Sequence, residues 1–162
     1  MPDDTVLRQQ VLALLRGGNA HMTIDDAVAD FPLDRINERP PNVSYSPWDL
    51  LEHIRITQWD ILEFTRDPNH VSPSWPDGHW PAPGEQADPL KWQATINAIH
   101  ADLRSFEDIV QNPAIDLTAD IPHAPGYTVL REALVIADHN SYHIGEFGIL
   151  RQIMGTWPPG HE

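Results

Sequence analysis

The apolar residues of this chain recur at spacings of three and four through four long stretches, and nowhere alternate convincingly with the period of two that a half-buried strand needs. The first stretch, DTVLRQQVLALLRGG, sets Val6, Leu7, Val11, Leu14 and Leu15 at helical spacing and stops at Gly17 and Gly18. A short helix over TIDDAVADF follows, with Thr23 as its cap and Pro32 limiting its length. The second long helix opens at Ser46, a good N-cap; Pro47 suits the first turn, and Asp49 sets a negative charge beside the free N–H groups. Tyr45 and Leu50 can staple its entry, while Leu50, Leu51, Ile54, Ile61 and Leu62 make its buried stripe and Pro68 marks its end.

The third helix begins at Asp88 with Pro89 in the first turn, and carries Trp92, Ile96, Ile99, Leu103, Phe106 and Val110 before Pro113. DLTADIPHAPGY reads as a structured turn into a fourth helix, from near Thr128 to about Gly155. Between the second and third helices, residues 68–87 hold too much Pro and Gly for a helix or a central strand. A helix of about 22 residues is about 33 Å long. Twenty extended residues span up to about 66 Å, so this loop can return the chain along the helices and let the third run parallel to the second. The pattern predicts an all-α fold, a four-helix bundle with one long crossover, as a single domain over residues 1–162.

Charge and composition narrow the partners. Ten Lys and Arg stand against 24 Asp and Glu, a formal net charge of −14 with no basic stripe, which disfavours nucleic acid and anionic membranes alike. No stretch approaches the roughly 18 uninterrupted apolar residues of a membrane helix. The N-terminus lacks the order of a signal peptide, so a soluble, cytoplasmic protein is expected. With no Cys there is no disulfide, thiolate site or cysteine nucleophile; a metal would have to be held by His, Asp or Glu.

The nine His become the candidate chemistry. His139 and His143 in ADHNSYHIGEFGIL differ by about 40° around a helix axis and about 6 Å along it, so both rings can reach one ion. They interrupt a row that includes Ile136, Phe147, Leu150 and Met154, and are expected to point inward, where buried polar groups need partners. A shared metal would satisfy both rings. The alternative is a polar core network in which each donates to a carbonyl, to Glu132 or to Glu146. A third ligand is wanted, and His53, between Leu50 and Ile54 on the second helix, is the best placed; His100 on the third helix is the next. His21, His70, His79, His123 and His161 fall in loops or at the end and read as solvated, although His79 could fold over the site with its loop.

Three imidazoles leave a coordination position open for water or a ligand, whose pKa the ion would lower. An all-imidazole set suits Zn, Ni, Fe or Cu more than Mg or Ca. Ala137, Ser141, Gly145 and Gly148 also place small residues three and four apart, for close helix crossing, as at a dimer interface, or for room beside the metal. Trp75 and Trp80 read either as a lid or as anchors of the Pro-rich loop.

Two segments, SPWDLLEHIRITQWDILEF and DHNSYHIGEFGILRQIMGTWP, resemble the DinB-like (damage-inducible, DinB/YfiT-like) superfamily of metalloenzymes, and the likeness extends in outline over nearly the whole chain. The second segment joins the histidine pair to Gly145, Leu150, Arg151 and Gly155 and a closing Trp157-Pro158. The resemblance implies an up-down-down-up four-helix bundle and a metal held by one His of the second helix and two of the last, here His53, His139 and His143. It further implies homodimers. Relatives resemble thiol-dependent transferases, so the expected activity is thiol-dependent transfer, with a low-molecular-weight thiol cosubstrate and a divalent Zn, Ni or Fe ion, or hydrolysis of a small-molecule substrate by activated water. Glu146 and Glu132 are the candidate bases. The competing expectation is a non-catalytic bundle that binds a metal or small ligand.

Overall fold

The computed structural model describes residues 4–160. Five α-helices are described: α1 Thr5–Arg16, α2 Ile24–Val28, α3 Pro47–Arg66, α4 Pro89–Gln111 and α5 Val129–Met154. Two antiparallel strands, β1 Asp120–Ile121 and β2 Ala124–Thr128, lead into α5. That hairpin lies in the segment expected only to turn; two paired positions are too few to leave a period-2 signal.

Helix ends follow local chemistry. Ser46 Oγ accepts from Asp49 N at 3.1 Å and Asp49 Oδ2 accepts from Ser46 N at 2.9 Å, a reciprocal cap that starts α3. Asp88 caps α4 through Lys91 N, and Thr128 caps α5 through Arg131 N. Gly155 ends α5 at φ 61°, a left-handed position where a Cβ would be strained. α2 stops at Val28, four residues ahead of Pro32, and Asp30 turns the chain at φ 50°.

The long helices bury their predicted stripes. One core cluster gathers Trp48, Leu50, Ile54, Trp92, Ile99 and Phe147; another gathers Val11, Leu15, Leu62, Phe106, Val110 and Ile136. α1 departs from expectation, because Val6, Leu7 and Leu14 stay exposed while Val11 and Leu15 are buried. α3 packs against both α4 and α5. Thr95 Oγ1 donates to Glu52 Oε2 and Gln58 Nε2 to the carbonyl of Ile99, so advancing along α3 advances along α4: these two run parallel, joined by the long loop. Asn140 Nδ2 donates to Gln58 Oε1 at 2.8 Å, tying α5 to the same buried amide one residue from His139.

Of the small residues on α5, Ala137 is core and Gly148 receives Met22, whose Cε would lie 3.3 Å from an added Cβ. Gly145 faces open space. Among the described residues no helix is long and apolar enough to cross a membrane.

Candidate metal centre

Packing of α3 against α5 brings the three favoured histidines together. His53 Nε2 lies 3.1 Å from His143 Nε2 and 3.1 Å from His139 Nε2, and one nitrogen from each ring falls within 4.8 Å of the others. The far side of two rings assigns their protons. His53 Nδ1 is 2.7 Å from the carbonyl oxygen of His79, and His143 Nδ1 is 2.7 Å from Glu146 Oε2. Both partners are acceptors, so each Nδ1 carries the hydrogen and each Nε2 presents its lone pair to the centre. Lone pairs held this close repel unless a cation or proton sits among them. A borderline divalent ion is the cation that three imidazole nitrogens suit, so the residues present fit one.

Electrostatics favours the neutral, ligating form. Burial, reinforced by His143 and His53, depresses the pKa of His139 to about 3. Burial also lowers that of His53, against the opposing hydrogen bond to His79. His139 Nδ1 is buried and has no hydrogen-bond partner among the described residues.

Aromatic rings wall the centre. Trp80 lies flat on His53, centroids 4.0 Å apart and planes 4° off parallel, and Tyr142 meets His143 edge-on at 4.9 Å. Tyr45 stacks on Trp80 at 5.7 Å; burial first and neighbouring Glu146 second push its phenol pKa up. Beside these rings opens a cavity of about 290 Å³, walled by Tyr45, Trp80, Pro81 and Pro83 with Arg39 and Asp49. The cavity shares Tyr45 and Trp80 with the centre rather than touching the imidazoles.

The other candidates separate. His100 points away, its Nε2 2.8 Å from Asp25 on α2. Glu132 is buried but pairs with Arg131, two helical turns from His139, so only Glu146 of the two proposed bases reaches the centre. Its place behind His143 makes it an orienting group there. His79, read as solvated, is 6% exposed, and His70 is also largely enclosed; each gives Nε2 to Asp60, at 3.2 Å and 2.7 Å. His79 does reach the site, through its carbonyl and not its ring. His21 is half-buried with Nδ1 against the carbonyl of Met22, His123 is exposed as expected, and His161 lies outside the described residues. Trp80 anchors the loop, whereas Trp75 is 75% exposed.

A pH dependence of stability follows for the metal-free protein. His139 has a folded pKa of about 3, while the unfolded chain has the ordinary value near 6.5. Between the two, the unfolded state binds more protons. Stability is therefore retained above about pH 6.5 and falls as pH drops towards 3, by at most ~1.4 kcal/mol per pH unit from this residue. Urea unfolding at about pH 7.5 and about pH 5, compared with His139→Gln, measures it; a wild-type loss on acidification no larger than that of the variant counts against a buried neutral imidazole.

A family model described as DinB superfamily matches residues 19–147, well over half the chain. No curated protein and no solved structure matches.

Proposed function

The chain belongs to the DinB superfamily, and from that premise we propose a metal-dependent enzyme in which His53, His139 and His143 hold a divalent zinc, nickel or iron ion. The observation that carries the reading is the convergence of three Nε2 atoms, two of them with Nδ1–H turned to an acceptor on the far side. In this reading α1, α3, α4 and α5 form the up-down-down-up bundle of a single domain working in the cytoplasm on a small molecule.

Held by His53, His139 and His143, a divalent ion would supply Lewis acidity that lowers the pKa of a bound thiol or water. The chain supplies the surroundings. Glu146 and the His79 carbonyl hold the protons on the far sides of His143 and His53, which orients both rings. Trp80 covers one face of His53 and excludes water from it. The cavity beside Tyr45 and Trp80 gives an electrophile an apolar bed. Because the chain contains no Cys, a sulfur nucleophile must come from outside, which favours a low-molecular-weight thiol as cosubstrate; hydrolysis of the small molecule is the close variant.

The homodimer is part of the proposal. Leu134, Tyr142, Ile149 and Ile153 leave an exposed apolar row on α5, beside open space at Gly145, for a second copy to cover.

Cobalt-loaded protein titrated with a small thiol tests the activity. A thiol-dependent near-ultraviolet charge-transfer band, followed by a mass shift when small electrophiles are added, is expected. Cobalt bound with neither a thiol response nor turnover of electrophiles or esters would leave a binding protein and overturn the enzymatic reading.

A further inference from the structure

Asp60 is a buried carboxylate with no structural reason of the usual kind. It lies on α3 at 8% exposure, and among the described residues its ion-pair partners are imidazoles, neither Lys nor Arg. Both imidazoles come from the loop between α3 and α4: His70 Nε2 reaches Oδ1 at 2.7 Å and His79 Nε2 reaches Oδ2 at 3.2 Å. A carboxylate withdrawn from water is costly unless its oxygens are satisfied, and these two are. An apolar contact could pin a loop without that cost.

The carboxylate does something an apolar pin cannot. His79 is bonded to α3 at two places, by its ring to Asp60 and by its carbonyl to His53 Nδ1, 2.7 Å away. Seven residues separate those places, about 10 Å along the helix. His79 is thus a strut of fixed length whose far end is set by a directional bond. The next residue, Trp80, lies flat on the same His53 ring. Donation from Nε2–H to Asp60 leaves His79 Nδ1 as a buried acceptor without a partner, the less costly kind of orphan. A ring flipped to the other tautomer would put a lone pair against the carboxylate.

We propose that Asp60 is a positioning residue for His53: through His79 it holds the carbonyl that keeps His53 in the Nδ1–H tautomer with Nε2 free, and it holds Trp80 against the ring. The inference rests on reading His53 as a metal ligand for its consequence, but not for its geometry.

Two readouts test it. Long-range proton–nitrogen correlation spectra of the metal-free protein report the tautomer of His53, and competition with a zinc chelator reports affinity. Wild type is expected to show His53 as Nδ1–H. Asp60→Ala and His79→Ala should each mix the tautomers and weaken zinc about 10- to 100-fold. Their double variant should be no weaker than the worse single one, since both cut one strut. Asp60→Asn, isosteric and able to accept from only one of the two imidazoles, should shift both readouts in the same direction by less, and serves if the alanine variants do not fold. Folded variants with an unchanged His53 tautomer and zinc affinity within about twofold would overturn the inference and leave Asp60 a loop anchor. If wild type binds no zinc, the metal reading fails by itself, and the tautomer readout still decides the role of Asp60.

Discussion

Replacing any one of His53, His139 and His143 by alanine is expected to take bound metal from near one equivalent per chain to background. Two remaining imidazoles hold a divalent ion loosely, and among the described residues the cluster of ligand atoms lying within 4.8 Å of one another contains these three histidines and no fourth His, Asp or Glu. His100 cannot step in, because it is held by Asp25 on another face. An affinity loss of at least about 100-fold is expected for each variant. Its thermodynamic shadow is also measurable. Metal that binds the folded chain alone stabilises by RT ln(1 + [L]/Kd), about 4 kcal/mol at a thousandfold excess over Kd, and that stabilisation should vanish in all three variants. Metal analysis by mass spectrometry, with thermal melts in the presence and absence of zinc, checks both; His100→Ala should retain wild-type metal. Metal that survives in any one of the three variants would remove that residue from the ligand set.

The parts of this molecule that local chemistry determines were readable in advance. Ser46 with Asp49, Asp88, Thr128 and Gly155 mark helix ends because caps act over three or four residues: α3, α4 and α5 begin, and α5 ends, where those residues stand. The histidine pair was visible as a break in an apolar row, and His53 as an imidazole beside the buried stripe of a second helix. What surrounds them was not. His79, Trp80 and Asp60 act through the path of a Pro-rich loop, and no periodicity says which carbonyl of such a loop will meet a ring 26 residues away. A helical stripe also overstates burial at a margin: Val6, Leu7 and Leu14 fit the period, yet of the stripe's five apolar positions α1 turns only Val11 and Leu15 fully inward. His100 departs for a related reason: it lies about 40° around the helix from Ile96, on the side away from Leu103, and meets Asp25 of α2 instead of the centre.

The largest effect on folding is expected at Arg151, one of the residues on which the family resemblance rested. Its side chain is fully buried at 0% exposure, and burial lowers its pKa. Among the described residues no carboxylate neutralises it by contact; it is held by backbone oxygens. Nη1 donates to the carbonyls of Ala27 and Ala29, at 2.8 Å and 2.7 Å, and Nη2 to that of Thr156 at 2.7 Å. The guanidinium stacks 4.1 Å from the Trp157 ring and 5.2 Å from Phe31. One planar cation thereby closes the end of α2, the turn after α5 and two aromatic rings around itself. Lys, a point charge on a flexible stem, cannot reproduce three separated bonds with two stacked faces. Arg151→Ala removes the donor from three carbonyls at once and leaves a cavity among Phe31, Trp157 and the end of α2. The expected loss is about 3–5 kcal/mol, from the cavity left by a large buried side chain together with three carbonyls deprived of a charged donor. Arg151→Lys should recover only a minor part. Urea denaturation measures both, and a loss under about 1 kcal/mol for the alanine variant would show that α2 and the chain after α5 hold without the guanidinium. Because Met22 and Ala27 belong to the segment that covers α5 near Gly148, loosening it should also reach the metal centre only indirectly, with zinc affinity in the folded protein changing far less than in the three histidine variants. That separation of stability from affinity is what distinguishes an arginine that builds the fold from the histidines that line its centre.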